Sequence, residues 1–375
     1  MGRRLGVSED YLATGLEREA GGEDRMLLDA EVSLRLGELD DAERAYEEVL
    51  GKAETTALQA RALAGMGQIA YERGDARKAV NSLEEALRVS GAEAADQPAL
   101  ADTLGRAYAT LGDHQPAIRI FRQALRAAED RKDAVEIVRF GVLLANAYID
   151  SNALGDAEEL LERTVERAPN AADPIFRARI FWSQSRLYAM REDPTTAARY
   201  ARKALELLEL TEHTQYAARA HHLLAHVELD RGHAEEALEL LDKGLPLVES
   251  TGNTLETALF RLEKARALVE LGRTEEAERL ASASTALLAE AAPLDAGRGY
   301  MLVGEIYEGL GDRAKARQFY EQAVGLLEGG ADRYIVEVYG KLAALHEADG
   351  RSDEALAVLK KAMAVQSPSA AVSAG

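Results

Sequence analysis

Between Thr103 and Leu125 the apolar positions keep a helical spacing that breaks once and then resumes. Leu104, Ala107, Tyr108 and Leu111 recur every three or four residues and so share one stripe of a first helix. Ala117, Ile120, Phe121, Ala124 and Leu125 do the same for a second. Gly112 suits a helix C-terminus and Asp113 the opening of the next helix, so the stretch predicts a helical hairpin. The small residues Gly105 and Ala117 let helix axes approach to about 8 Å, with Tyr108 and Phe121 filling the space on either side. This pattern recurs along the chain. The Ala117 position is matched by Ala42, Ala79, Ala157, Ala197, Ala237, Ala277, Ala316 and Ala355, in steps of 37 to 40 residues. Five residues earlier the turn glycine returns as Gly37, Gly74, Gly232, Gly272, Gly311 and Gly350, while Asn152 and Glu192 stand there in two repeats. Asn tolerates the left-handed conformation and Pro194 fits the first turn of its helix, so neither departure breaks the register. Nine hairpins are expected between residues 16 and 366.

Gly105, Tyr108, Gly112, Ala117, Phe121 and Ala124 resemble the glycine, aromatic, turn glycine, alanine, aromatic and alanine of a tetratricopeptide repeat. That family has a nominal period of about 34 residues. The resemblance implies an all-α fold, a right-handed superhelical solenoid of about nine such hairpins. The longer period here adds roughly one and a half helical turns per repeat, which implies a deeper groove. Residues 1–15 and 367–375 fall outside the pattern. The tail from Ser367 carries too little apolar surface to order itself. At the other end Ser8 can cap a short helix with Glu9 and Asp10 in its first turn, which makes residues 1–15 an N-terminal capping helix. Leu5-Gly6-Val7-Ser8, Asp10-Tyr11-Leu12 and Thr14-Gly15 also resemble the closing helices of the XRE-type helix-turn-helix domain of bacterial repressors. On that second reading the helix entering the major groove would lie upstream of Met1, and this chain alone is not expected to read an operator.

Composition narrows the function. Aromatics are only 5% of residues, so the core must be built from Ala and Leu. A net charge of −20 repels the phosphate backbone and argues against nucleic-acid binding by this chain alone. The sequence has no cysteine, which excludes disulfides, zinc–thiolate sites and thiol catalysis. No apolar run reaches the roughly 18 residues a membrane helix needs, and the N-terminus lacks the apolar core of a signal peptide. A cytoplasmic protein is expected.

In stacked tetratricopeptide repeats the first helix of each pair forms the concave wall, and the register then picks out its side chains. Thirteen residues before the turn position stand Arg139, Arg179, Arg219 and Arg298; ten before it, Trp182 and His222. Six before it stand Arg106, Asn146, Arg186, His226 and Arg266. In a chain of net −20 this reads as a basic seam over repeats three to seven, with Glu31, Glu305 and Glu337 towards the ends. The alternative is a set of solvated arginines paired with nearby glutamates. Grooves of this family commonly hold extended peptides. The expected ligand is therefore an extended, anionic peptide or protein segment, held by the arginines with Asn146 on its backbone and Trp182 packed against it. His222 and His226 would gain charge as pH falls through about 6.5 and add to that affinity. The carboxylate clamp known in the family is matched in part by Arg179 and Asn146, but Val142 and Ser183 depart from it.

His222 and His226 are spaced to share a metal, yet no third ligand stands in the neighbouring turn. Neither a metal nor a cofactor is expected, and no nucleophile is paired with a base, so no enzyme is expected either. The chain resembles the sensor half of XRE-type regulators of the peptide-receptor group called RRNPP, which implies quorum sensing, transcription regulation and a homodimer. The rival reading is a scaffold that gathers protein partners and never touches DNA.

Overall fold

The computed structural model describes residues 22–167, 174–209, 211, 214–328 and 332–366. Among them eighteen α-helices and one short 3-10 turn at Ala94–Asp96 follow in order, with no strand. The helices are α1 (Gly22–Leu36), α2 (Leu39–Lys52), α3 (Thr56–Glu72), α4 (Ala76–Ser90), α5 (Pro98–Thr110) and α6 (His114–Arg131). Next come α7 (Ala134–Asp150), α8 (Leu154–Arg167), α9 (Pro174–Met190), α10 (Pro194–Glu209), α11 (Thr214–Asp230) and α12 (Ala234–Glu249). The last six are α13 (Thr254–Glu270), α14 (Thr274–Leu288), α15 (Pro293–Gly309), α16 (Arg313–Leu327), α17 (Asp332–Ala348) and α18 (Ser352–Gln366). Odd-numbered helices stand first and even-numbered ones second in the expected hairpins, and every such pair but α5 with α6, where the two compact units divide, is seen to pack together. The expectations for residues 1–15 and 367–375 lie outside the described residues.

The register holds in detail. All nine key alanines, from Ala42 to Ala355, are at most 2% exposed. Each turn position has a positive φ, from 71° to 82° at the seven glycines, 61° at Asn152 and 59° at Glu192. The two kinds of helix differ because they are packed differently. In α4 the buried Ala79, Val80, Leu83 and Ala86 make one stripe, Asp75 accepts from the Lys78 amide at 2.9 Å, and Gly91 ends the helix at φ 65°. In α7 the buried residues run from Val138 through Phe140, Val142 and Leu144 to Ile149, nearly all round the helix, as expected of a helix covered on more than one side.

Two compact units can be distinguished, one up to Ala107 and one from Tyr108 onwards. The first has a core of Leu27, Tyr46, Val49, Leu58 and Ile69. The second contains two clusters, one of mainly Ala and Leu side chains over α9 to α13 and one over α13 to α18 that includes Tyr307, Tyr320 and Tyr339. Aromatic rings sit where glycine makes space for them. A Cβ on Gly304 would lie 2.5 Å from the Tyr320 ring, and one on Gly65 would lie 2.2 Å from the Tyr46 ring. In the second unit the first helices also pack side by side, α7 on α9, α9 on α11, α11 on α13 and α13 on α15.

Candidate functional site

Side-by-side packing of first helices places one repeat's wall residues against the next. Arg186 donates to Asn146 Oδ1 at 3.0 Å and to Asp150 Oδ1 at 2.8 Å, joining α9 to α7. Arg179 donates to the Tyr216 hydroxyl at 2.7 Å, joining α9 to α11, with its guanidinium 5.4 Å from the ring centre. Arg219 reaches Glu256, joining α11 to α13, and His226 Nδ1 lies 2.8 Å from Glu263 Oε1 on the same pair of helices. Asn146, Arg179, Arg186, Arg219 and His226 thus take part in links from one first helix to the next. Trp182 is half-buried and packs against the α9 to α13 core, and the His222 ring lies 4.8 Å from that of Phe260. Arg106 belongs to the first unit, where it is exposed and pairs with Asp102.

The arginines are not an uncompensated strip. Six of the seven have carboxylate partners: Arg106 with Asp102, Arg139 with Glu136 at 3.2 Å, Arg186 with Asp150, Arg219 with Glu256, Arg266 with Glu263, and Arg298 with Asp295 at 3.8 Å. Arg179, with Tyr216, is the exception. Most of these acids stand off the three wall positions: four precede their arginine by three or four residues on the same helix, the pairing of the alternative reading, and two, Asp150 and Glu256, belong to a neighbouring repeat. Glu136 and Glu256 each keep one buried carboxylate oxygen with no hydrogen-bond partner among the described residues.

Glu263 is the most strongly held of these acids. Its side chain is only 3% exposed and lies 2.8 Å from both Arg266 Nη1 and His226 Nδ1. Burial alone would raise its pKa, but the His226 hydrogen bond and the charges of His226 and Arg266 outweigh that and bring it down to about 2. Burial opposes charge on His226 as well, and the Glu263 bond and charge reverse the effect, leaving its pKa above the ordinary value. His222, by contrast, is held below its ordinary value, chiefly by burial, and its Nε2 has no partner among the described residues. The two histidines are therefore shifted in opposite directions, which corrects the expectation that both gain charge together as pH falls through about 6.5. His221 points away between helices, 4% exposed and 3.5 Å from Glu209.

Among the described residues the one grouping with metal-ligand spacing is Glu228, His233 and Glu236. Its buried carboxylate is already engaged by Arg202 at 3.1 Å, Arg231 at 2.6 Å and His233 at 2.9 Å. Two guanidinium groups on one carboxylate make an ion-pair network, with Glu228 four residues before the turn, where Tyr108, Tyr148 and Tyr188 stand in other repeats. No described helix is long and apolar enough to cross a membrane.

A family model described as the MalT-like TPR region matches residues 97–292, and two tetratricopeptide-repeat models match residues 28–98 and 295–367. No curated protein matches the sequence. Among solved structures, a Rap protein in complex with competence and sporulation factor is 17% identical, with a TM-score of 0.64 over 85% of this chain and 89% of that one. The apo quorum sensor NprR from B. thuringiensis is 16% identical, with a TM-score of 0.57 over 97% of this chain and 93% of that one. Apo RapI is 18% identical, with a TM-score of 0.58 over 85% and 89%. At such identities the likeness is one of fold.

Proposed function

This chain belongs to the tetratricopeptide-repeat family, with the MalT-like region as its middle part, and on that premise we propose that it is a receptor for an extended peptide. The peptide lies along the first helices of repeats four to seven, and binding it requires no catalysis and no cofactor. The observation that carries this reading is the ladder of polar groups along α7, α9, α11 and α13, in which half-buried Asn146, Arg179, Arg186 and Arg219 stand beside Trp182. An extended chain offers backbone groups at regular intervals, and a wall that repeats its own polar groups at regular intervals is suited to meet them. Two fold relatives are described as a complex with competence and sporulation factor and as a quorum sensor, and a sensing role is carried over from them as part of the proposal. In that role the protein is the ligand-sensing part of a cytoplasmic, homodimeric transcription regulator, with residues 1–15 as the end of a helix-turn-helix domain.

Affinity capture from a random heptapeptide pool tests the reading. The wild type should enrich a related set of sequences, and Trp182→Ala should lose that enrichment about tenfold or more, as for a central aromatic anchor. The scaffold reading has its own support in Leu356, Leu359 and Met363, which are 51%, 39% and 67% exposed along α18 and offer an apolar face to another protein. A pool from which wild type enriches nothing would favour it.

A further inference from the structure

A carboxylate can reach an arginine thirteen residues before the turn from two places, three residues before it on its own helix or thirty-seven after it on the next first helix. Arg139 uses the first, with Glu136; Arg298 uses it too, with Asp295; Arg219 uses the second, with Glu256. At Arg179 these two positions are Phe176 and Tyr216. Both are aromatic. The structure accordingly gives Arg179 the Tyr216 hydroxyl at 2.7 Å and the face of its ring, and no carboxylate among the described residues. A half-buried guanidinium has five donors in a planar fork and is worth most when a carboxylate takes two of them at once. The flanking repeats reinforce this. On either side of Arg179 in the register, Arg139 and Arg219 already hold a carboxylate, Glu136 and Glu256.

We infer that the groove takes a peptide bearing a single carboxylate, seated on Arg179 beside the Tyr216 ring. This rests on the peptide-receptor reading and sharpens it from an anionic ligand to a ligand with one anionic group at a fixed position. The carboxylate can be a chain terminus or an Asp or Glu side chain, since both present the same two oxygens.

Three pools of N-acetylated heptapeptides separate these cases. One has a free C-terminus and no Asp or Glu, one is amidated with a single Asp or Glu, and one is amidated with neither. Immobilised wild type should enrich the first or the second over the third by about ten- to a hundredfold, the span expected of one charged hydrogen-bonded contact. The first prevailing assigns the terminus, the second the side chain. Arg179→Gln should erase the preference, Arg179→Lys should keep part of it, and Arg163→Gln, on the second helix α8, should leave it in place; far-UV circular dichroism checks that each variant stays folded. Equal capture of the third pool, or a preference that survives Arg179→Gln, overturns the inference. If all pools are captured equally and Trp182→Ala abolishes that capture, the carboxylate is refuted and the peptide reading stands. If no pool is captured, both fall.

Discussion

Glu192 holds a left-handed backbone, φ 59°, at the turn position that seven other repeats give to glycine. A side chain there costs roughly 1 kcal/mol or more, so Glu192→Gly should raise stability by about 0.5–1 kcal/mol, read from urea unfolding. The reverse change, Gly232→Ala, meets nothing within 4 Å and should cost about 1–2 kcal/mol through φ alone. These turns were legible in the sequence because the demand for positive φ is local. The partner of His226 was not, because Glu263 lies 37 residues along the chain on another helix. The groups facing His226 are Glu263, Asp230 at 3.8 Å, Arg266 at 3.3 Å and His222. A raised folded pKa means that His226 stabilises the fold below about pH 6.5 and loses that contribution as pH rises through its folded value. For His222 the sign is reversed: its stabilisation is present above about pH 6.5 and is lost as pH falls. Histidine-resolved NMR titration should place His226 above 6.5 and His222 below it, and Glu263→Gln should bring His226 down. A pair of coincident midpoints would contradict the network.

At the scale of the helix, the spacing of apolar residues served second helices better than first ones. In α4 a single buried stripe opposes a charged face, so the pattern alone delimits the element. In α9 the buried set includes Ser183, Gln184 and Ser185 beside Ala178, Ile180 and Leu187, because the helix is covered on more than one side and polar side chains enter the interior. Its wall residues were named from the register of the turns rather than from any stripe. What the register could not supply was the sign of the wall, since most of the carboxylates that neutralise it stand at other positions. Close crossings between helices are a second property of the element that the sequence disclosed. Gly304 sits against Tyr320 as Gly65 sits against Tyr46, so Gly304→Ala should overpack the α15–α16 crossing and cost about 1–3 kcal/mol in thermal or urea unfolding. A neutral result would mean that the ring can move aside.

Taken whole, the chain carries 65 acidic and 45 basic residues, yet its proposed ligand face in repeats four to seven is close to balanced. Ion pairs that are half-exposed contribute about 1 kcal/mol or less each, so their value here lies less in stability than in position. Arg186–Asp150 and Arg219–Glu256, with the Arg179–Tyr216 hydrogen bond between them, link α7 to α9, α11 to α13 and α9 to α11 and hold these side chains in a fixed arrangement before any ligand arrives, which lowers the cost of ordering them on binding. The neighbouring-repeat links also fit an array whose stability is a sum over adjacent repeats. The central claim, that the first helices and not the second hold the ligand, can be tested by locating the ligand directly. A heptapeptide pool carrying a photoreactive benzophenone side chain, irradiated with the purified protein and mapped by mass spectrometry, should leave adducts on α7, α9, α11 and α13, and Trp182→Ala should diminish them. Adducts confined to second helices such as α10 and α12, or unchanged by Trp182→Ala, would contradict the account.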